Sequence, residues 1–519
     1  MATLAPPPPK RQRIEAIKRT RVQVQPDDAI ENANASFRAR FVDDEGKEIT
    51  AGAIQLLSAD ASEKNLAVLV NTLLGREPDD FTPYRFCVHI HGKDIHINPQ
   101  STSLSSLLQQ NGIAPSFETA VTISAYPQAV FKVQAVSRLS HRIPGHAEPI
   151  LTAQWSPISN RLATGSGDNS ARIWDADTGT PLFTMKGHSG WVLDVRWSPD
   201  GEQLATCSMD GTIRRWDAAS GKSLGRVLSG HRRWVSMVAW QPYHLWQSGE
   251  GPRLASAGKD GTVRIWVVNT GLTEFVLSCK ESVSCVKWGG TNLVYTASRD
   301  KSVCVWDAET RTLLHKMTAH AHVVNHLALS TDFVLRTGFF EYSREKNIPL
   351  TEEGKRALAR ERFEKAANRH GKIIELLVSA SDDCIVYLWD PTNLGEKPLA
   401  RLLGHQKQVN SVAFSPDMTL VASTGWDNVT KIWGARDGKF MHSLRGHVGP
   451  VYQCAFSADS RLLVTCSKDC TVKVWDLRSG KMVNDLPGHQ DEVYAVDWSP
   501  TGKMVGSGGK DKAIRIWSS

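Results

Sequence analysis

Along residues 131–519 apolar and polar positions alternate in short runs, interrupted by turn-forming clusters such as Ser198-Pro199-Asp200-Gly201 and Asp210-Gly211. A period of two puts successive side chains on opposite faces, so these runs predict short strands joined by tight turns. Four strands fit each interval, which is a β-meander. Residues 30–130 read differently. Phe37-Arg38-Ala39-Arg40-Phe41 alternates, Asp43-Asp44-Glu45-Gly46 turns the chain, and Ile49 to Ile54 continues apolar. Asp60 with Glu63 three residues on forms a capping box for a helix carrying Leu66, Leu69, Val70 and Leu73 on one face and stopping at Gly75. Tyr84, Phe86, Val88 and Ile90 then alternate, His91-Gly92-Lys93 turns, Leu104 to Leu108 makes a short helical turn, and Val121 to Tyr126 is a last strand.

The longer region repeats. Tryptophans stand at 174, 216, 266, 306, 389, 433, 475 and 517, each six positions after an aspartate, and four residues before each aspartate comes a serine or threonine. Seven of the eight units carry an upstream histidine: His146, His188, His231, His320, His405, His447 and His489. In the unit GHSGWVLDVRWSPDGEQLATCSMDGTIRRWD these residues are His188, Thr206, Asp210 and Trp216. A hydroxyl, an imidazole and a carboxylate are also what a hydrolase triad needs. A catalytic site occurs once, in a cleft with an oxyanion hole, whereas eight copies point to architecture. The spacing places the carboxylate beside the ring, with the histidine donating onward to the hydroxyl and the hydroxyl reaching the indole N–H.

With its Gly-His and Trp-Asp dipeptides, Gly187-His188 and Trp216-Asp217, residues 131–519 resemble the WD-repeat β-propeller family. The resemblance implies eight blades, mainly β. The chain ends on the third strand of the last unit, so the segment 131–139, just ahead of the first Gly-His, is expected to supply the fourth strand and close the ring.

Three units depart from the pattern. That ending at Trp306 has Ser278-Cys279-Lys280-Glu281 in place of Gly-His. That ending at Trp266 is lengthened around Tyr243 to Gly249, which reads as a longer surface hairpin. The unit from His320 to Trp389 holds the largest break, with an insert at 338–371 in blade five. Thr351 can cap a helix there, although Gly354 stands where a capping box wants Glu or Gln. Ala357, Leu358, Phe363 and Ala366-Ala367 amid Lys and Arg make it amphipathic, as a solvated flap or as a docking arm for a partner or an RNA backbone. The residue before each turn aspartate should face one rim, where Lys259, Arg299, Trp426, Lys468 and Lys510 stand. Trp191, Arg232, Arg233, Trp234 and Lys407 lie in the adjacent loops, and Met209 joins them. Aromatic and basic side chains of this kind suit a binding rim for acidic or phosphate-bearing partners.

Composition narrows the setting. Apolar residues make up 41% and charged residues 22%, and no run approaches the ~18 apolar residues of a membrane span. The N-terminus lacks the apolar region of a secretory signal, and nine cysteines without C-x-x-C pairing suit a reducing compartment. The formal net charge is +7, and within the tail at 1–29 residues 10 to 21 alone carry +5, six basic groups against one acid. That arm is either a flexible solvated tail or a nuclear-import or nucleic-acid contact.

The order ββαββ with a final β, over 30–130, matches a ubiquitin-like β-grasp. Followed by eight WD repeats with a basic helical insert in the fifth, it looks like the Notchless (NLE) family of ribosome-assembly factors. That resemblance implies a non-enzymatic factor in the nucleolus and nucleus, acting on the large (60S) ribosomal subunit. The propeller would dock on rRNA, ribosomal proteins and other assembly factors of the pre-60S particle, and the ubiquitin-like domain would be gripped by the metal-ion-dependent adhesion site (MIDAS) of the AAA+ ATPase midasin. It implies no cofactor of the chain's own, no membrane and no small-molecule substrate. It implies one carboxylate entering the coordination sphere of a Mg²⁺ held by the partner. By its place in the loop before the last strand the candidate is Glu118, flanked by Phe117 as an apolar anchor; Asp43, Asp44, Glu45, Asp79 and Asp80 are the runners-up. The competing class is a substrate receptor or adaptor, for example in Notch signalling or a ubiquitin ligase.

Overall fold

The computed structural model describes residues 36–42, 48–49, 54–57, 63–74, 84–90, 93–96, 121–127, 133–247, 249, 251–340, 349, 351–369, 372–392 and 397–519. The chain divides into two compact units, Met1–Val130 and Phe131–Ser519.

In the first unit five strands, β1 (Ser36–Val42), β2 (Ile54–Leu57), β3 (Tyr84–Ile90), β4 (Lys93–His96) and β5 (Val121–Pro127), form one mixed sheet in the order β2-β1-β5-β3-β4. β1 and β5 are parallel and the other pairs antiparallel. Helix α1 (Glu63–Leu73) lays Leu66, Ala67 and Val70 against Phe41, Phe86, Val88 and Ile123. Leu73, assigned to the apolar face from spacing, is 40% exposed. Asn71 is buried in its stead, its amide donating to the Ala67 carbonyl at 2.7 Å, which lets a polar residue complete the face. The turns at 43–47 and 91–92 and the helical turn at 104–108 lie outside the described residues, as do Asp60 and Gly75.

The second unit contains eight four-stranded antiparallel sheets, each a blade. Their innermost strands, from Ile150–Trp155 in the first to Val493–Trp498 in the last, neighbour one another in cyclic order, and the last lies against the first. That seam is closed by polar groups as well as apolar ones: the Trp155 backbone N–H donates to Asp497 Oδ2 at 2.8 Å and its indole to the Asp497 carbonyl at 3.1 Å. The fourth strand of the last blade is β6 (Arg138–Pro144), paired with Ala513–Ser518 in the register Trp517↔Leu139 and Ile516↔His141. The expected closing segment 131–139 is thus displaced. Val133 and Val136 are drawn instead into the apolar seam of blades seven and eight, beside Leu462, Trp498 and Val505, where they are buried. Asp459 accepts from the Val133 N–H at 2.9 Å and Asn484 donates to the Val136 carbonyl at 2.7 Å, fixing this stretch before the strand starts.

The break in blade five opens earlier than residue 338. Between its first strand (Val324–Leu329) and its second (Leu377–Ser381) come α2 (Asp332–Thr337) and α3 (Glu352–Ala367). α2 bridges the ring: Lys287 of blade four donates to Asp332 at 2.9 Å, while Arg336 donates to Asp497 Oδ1 of blade eight at 2.9 Å and to the Trp155 carbonyl of blade one at 3.0 Å. Gly338 ends α2 with φ 55°, and a Cβ there would lie 2.7 Å from the Pro199 carbonyl oxygen of blade two, so glycine is required. Thr351 caps α3 as its type predicts, its hydroxyl accepting from the Gly354 N–H at 3.2 Å; the backbone donor does the work whatever side chain stands at 354.

Among the described residues, the insert read as a solvated flap or docking arm and the segment read as a longer surface hairpin pack against each other. The lengthened segment of blade three folds as a short 3-10 turn, Tyr243–Leu245, and receives α3. Tyr243 is buried against Phe339 and Ala359, its hydroxyl donates to Glu352 at 2.6 Å, and the His244 ring stacks on Phe363 with centroids 4.9 Å apart. Arg356 donates to the Trp246 carbonyl at 3.0 Å. Phe363→Ala is expected to remove about 3 kcal/mol of packing and speed hydrogen exchange across 351–367 while leaving the blade strands protected. Unchanged exchange there would show that this contact does not hold the helix.

Candidate functional site

The repeated residues form the same constellation in seven blades. The hydroxyl lies in the second strand, the aspartate in the turn after it, the tryptophan in the third strand and the histidine ahead of the first. Histidine Nδ1 donates to the aspartate at 2.8 to 3.1 Å. Nε2 lies 2.7 to 2.9 Å from the hydroxyl. The indole N–H donates to the same hydroxyl at 2.8 to 3.1 Å in all eight blades. The aspartate also accepts from backbone: in blade two Asp210 takes the N–H groups of Ser189 at 3.0 Å and Thr212 at 2.8 Å, which tightens the turn.

Proton direction differs from the sequence expectation. A carboxylate only accepts, so the Nδ1 proton points to it, and in a neutral ring Nε2 must then accept. The hydroxyl therefore donates to the histidine while accepting from the indole. Burial pushes His188, His231 and His489 below the ordinary imidazole value against the pull of their aspartates, which keeps those rings neutral. Burial would raise the Asp168, Asp210 and Asp511 carboxyls, but their hydrogen bonds, His146, Thr212 and His489 foremost, outweigh it and hold them low. This is also why Thr206 is no nucleophile. It is fully buried and its oxygen is occupied by the Trp216 N–H, so no substrate carbon can approach it.

Blade four, which lacks the histidine, is completed differently. Lys316 from its outer strand donates to Asp300 at 2.8 Å, and the Cys279 thiol sits 3.9 Å from the Thr296 hydroxyl. No spacing rule marks Lys316 for this role, since it belongs to the least regular strand of the repeat. All nine cysteines are free thiols. Among the described residues no cluster of three or more His, Cys, Asp or Glu could hold a metal, and no helix is long and apolar enough to cross a membrane.

The residue before each turn aspartate has its N–H bonded to the loop entering the same blade, as from Lys259 to the Trp234 carbonyl at 2.9 Å. Trp191, Trp234 and Trp426 are 52%, 40% and 39% exposed. Arg232, Arg233, Arg299 and Lys407 are exposed, and Lys259 lies over the Trp234 ring at 5.6 Å. Lys468 and Lys510 are neutralised by Glu492 at 3.7 Å and Asp491 at 3.2 Å. Trp426 donates to Asn410 at 2.8 Å and meets Tyr452, which in turn packs on Tyr494. These two tyrosines were missed because strand alternation assigns them to the blades; their position one residue into the innermost strand is the signal that brings them to the rim. Glu118, Phe117 and the acidic runners-up lie outside the described residues.

Residues 137–175, 179–217, 222–267, 273–307, 396–434, 438–476 and 480–518 match the family model for the WD domain, G-beta repeat. The unmatched interval is the blade split by α2 and α3. Ribosome assembly protein 4 of Chaetomium thermophilum is 63% identical over 443 residues, covering 85% of each chain. Ribosome assembly protein 4 of Saccharomyces cerevisiae is 47% identical over 447 residues, again 85% of each, and Protein Notchless of Drosophila melanogaster is 41% identical over 389 residues, 74% of this chain and 76% of its own. Among solved structures, the computationally designed Ika8 protein aligns with a TM-score of 0.55 at 25% identity, over 74% of this chain and 100% of that one. Fold and repeats define a WD-repeat β-propeller, and within that class the chain belongs to the Notchless family.

Two outcomes test the network. Thr206→Val leaves the Trp216 N–H and His188 unsatisfied and is expected to cost about 1–3 kcal/mol by denaturant unfolding, whereas Thr206→Ser, the residue other blades use, keeps both bonds and most of the stability. Equal losses would mean that the hydroxyl contributes nothing beyond its volume. The lowered histidines stabilise the fold fully above their unfolded value, about 6.5, and that stability is lost as the pH falls below it. The thermal midpoint should therefore be level above neutrality and decline towards pH 5, with the aspartates adding a steeper loss below about 3.9; a midpoint that rises on acidification would contradict this.

Proposed function

We propose that the chain is a non-enzymatic assembly factor for the large ribosomal subunit, in which an eight-bladed propeller docks on the pre-60S particle in the nucleolus and nucleus. The observation that carries the reading is the match, over 85% of its length, to proteins named for ribosome assembly in two fungi. The sheet of Met1–Val130, with its parallel β1–β5 pair and the helix α1 packed on it, suits a ubiquitin-like β-grasp handle. We infer that this handle is bound by the MIDAS domain of a midasin-type AAA+ ATPase, Glu118 supplying one oxygen ligand to the Mg²⁺ which that partner holds, with Phe117 beside it as an apolar anchor. Force on the handle would then reach rRNA, ribosomal proteins and other factors through the propeller. A rim carrying exposed tryptophans and cations supports docking on such surfaces.

In a sucrose gradient the chain should run with large-subunit precursors; a chain confined to light fractions with ligase subunits would establish the adaptor reading instead. Glu118→Ala should abolish Mg²⁺-dependent binding to the isolated MIDAS domain while particle association persists. Glu118→Asp should weaken it, since one methylene fewer withdraws the carboxylate from the ion. Unchanged binding by both variants would remove Glu118 from the interface.

A further inference from the structure

The rim is not electrostatically uniform. On blades seven and eight every rim lysine has a counter-ion: Lys468 with Glu492, Lys510 with Asp491, and Lys512 with Glu148 at 3.5 Å. Across blades two to four the opposite holds. Arg232, Arg233, Lys259, Lys280, Arg299 and Lys301 have no carboxylate in ion-pairing range among the described residues, and the turn aspartates of this arc, Asp210, Asp260 and Asp300, are engaged inward by His188, His231 and Lys316. Glu281 is the acid exposed on the same loops, and Asp210 and Asp260 keep their charge beside neutral histidines, so six cations against three acids leave the arc a net charge of +3. Burial and then the Arg299 charge push the Lys259 amine below its ordinary value.

Aromatic faces interleave with these cations. Trp234 lies beneath Lys259, flanked in sequence by Arg233, and Trp191 stands one blade back, against Gly167, with Met209 bonded to its carbonyl. An acidic peptide needs only the cations. Single-stranded nucleic acid uses both features, since phosphates take the basic groups and bases stack on exposed indoles whatever their sequence.

Resting on the assembly-factor reading, we propose that the arc Trp191–Arg233–Trp234–Lys259–Arg299 is a binding site for single-stranded RNA, gripping phosphates through its arginines and lysine and stacking bases on its two tryptophans. The paired arc of blades seven and eight does not share this role.

The test is fluorescence anisotropy of a short mixed-sequence RNA with the full chain between about 50 and 200 mM salt. Arg233→Glu/Lys259→Glu/Arg299→Glu should bind at least about tenfold more weakly and flatten the slope of log affinity against log salt by about 2. Trp234→Ala should lose about tenfold with little change in slope, because stacking releases no counter-ions. Lys468→Ala/Lys510→Ala should stay within about twofold of wild type, being neutral on balance and distant from the arc. All these residues are at the surface, so thermal midpoints should be preserved. Unchanged affinity and slope in the triple variant would overturn the proposal, as would an equal loss in the blade seven and eight variant. So would displacement of the RNA by polyglutamate at equal affinity with no effect of Trp234→Ala, which would mark a site for acidic proteins. RNA binding that ignores the arc would leave the assembly reading standing, whereas absence from precursor fractions would remove that reading and leave the arc.

Discussion

A buried hydroxyl that donates to a histidine and accepts from an indole is the point on which seven of the eight blades are built. Thr206 ties the second strand to the third through Trp216 and to the entering loop through His188, and Asp210 carries the chain of bonds into the turn. Because Thr206, His188 and Trp216 are buried, each must be satisfied, and a partly satisfied network costs more than an apolar substitute. That constraint sets the spacing of strands within a blade. Apolar contacts between blades then set the ring, and the rim is left free to carry residues chosen for binding.

The two irregular blades show how far the constraint bends. In blade four Lys316 neutralises Asp300 from a different strand, so the carboxylate still has a cationic partner although the imidazole is gone. In blade five the network survives intact, with His320 bonded to Ser379 and Asp383 across the whole insertion. The inserted helices turn back on the ring: α2 links blade four to blades eight and one, and α3 rests on the 3-10 turn of blade three. Two departures that look independent along the chain are thus the two halves of one contact. Within the insert Arg356 and Arg362 donate to backbone carbonyls.

What could be read from the sequence was what local spacing encodes. The eight Asp–Trp intervals, the seven histidines and the cap at Thr351 are periodic or short-range, and the strands and helix fall accordingly. Long-range choices were not encoded there. Val133 and Val136 read as strand by alternation, yet the seam of blades seven and eight competes for them and the strand shifts to Arg138–Pro144. The direction of the histidine–hydroxyl bond depends on which groups can only accept, which residue spacing does not reveal. Nor does the offset from the turn aspartate, from which the rim residues were assigned, reveal their pairing. Lys468 and Lys510 look like Lys259 in sequence and differ only in the acids that the fold sets beside them.

The central claim is that the repeated residues frame the molecule while function resides in residues the repeat does not share. It is tested most directly by the partition of the Thr206→Val chain between light and precursor fractions of a sucrose gradient, run well below its lowered thermal midpoint. The account predicts a distribution equal to that of the wild-type chain. Loss of particle association by a chain that is still folded would contradict it, because the network would then be part of the working surface and not its support.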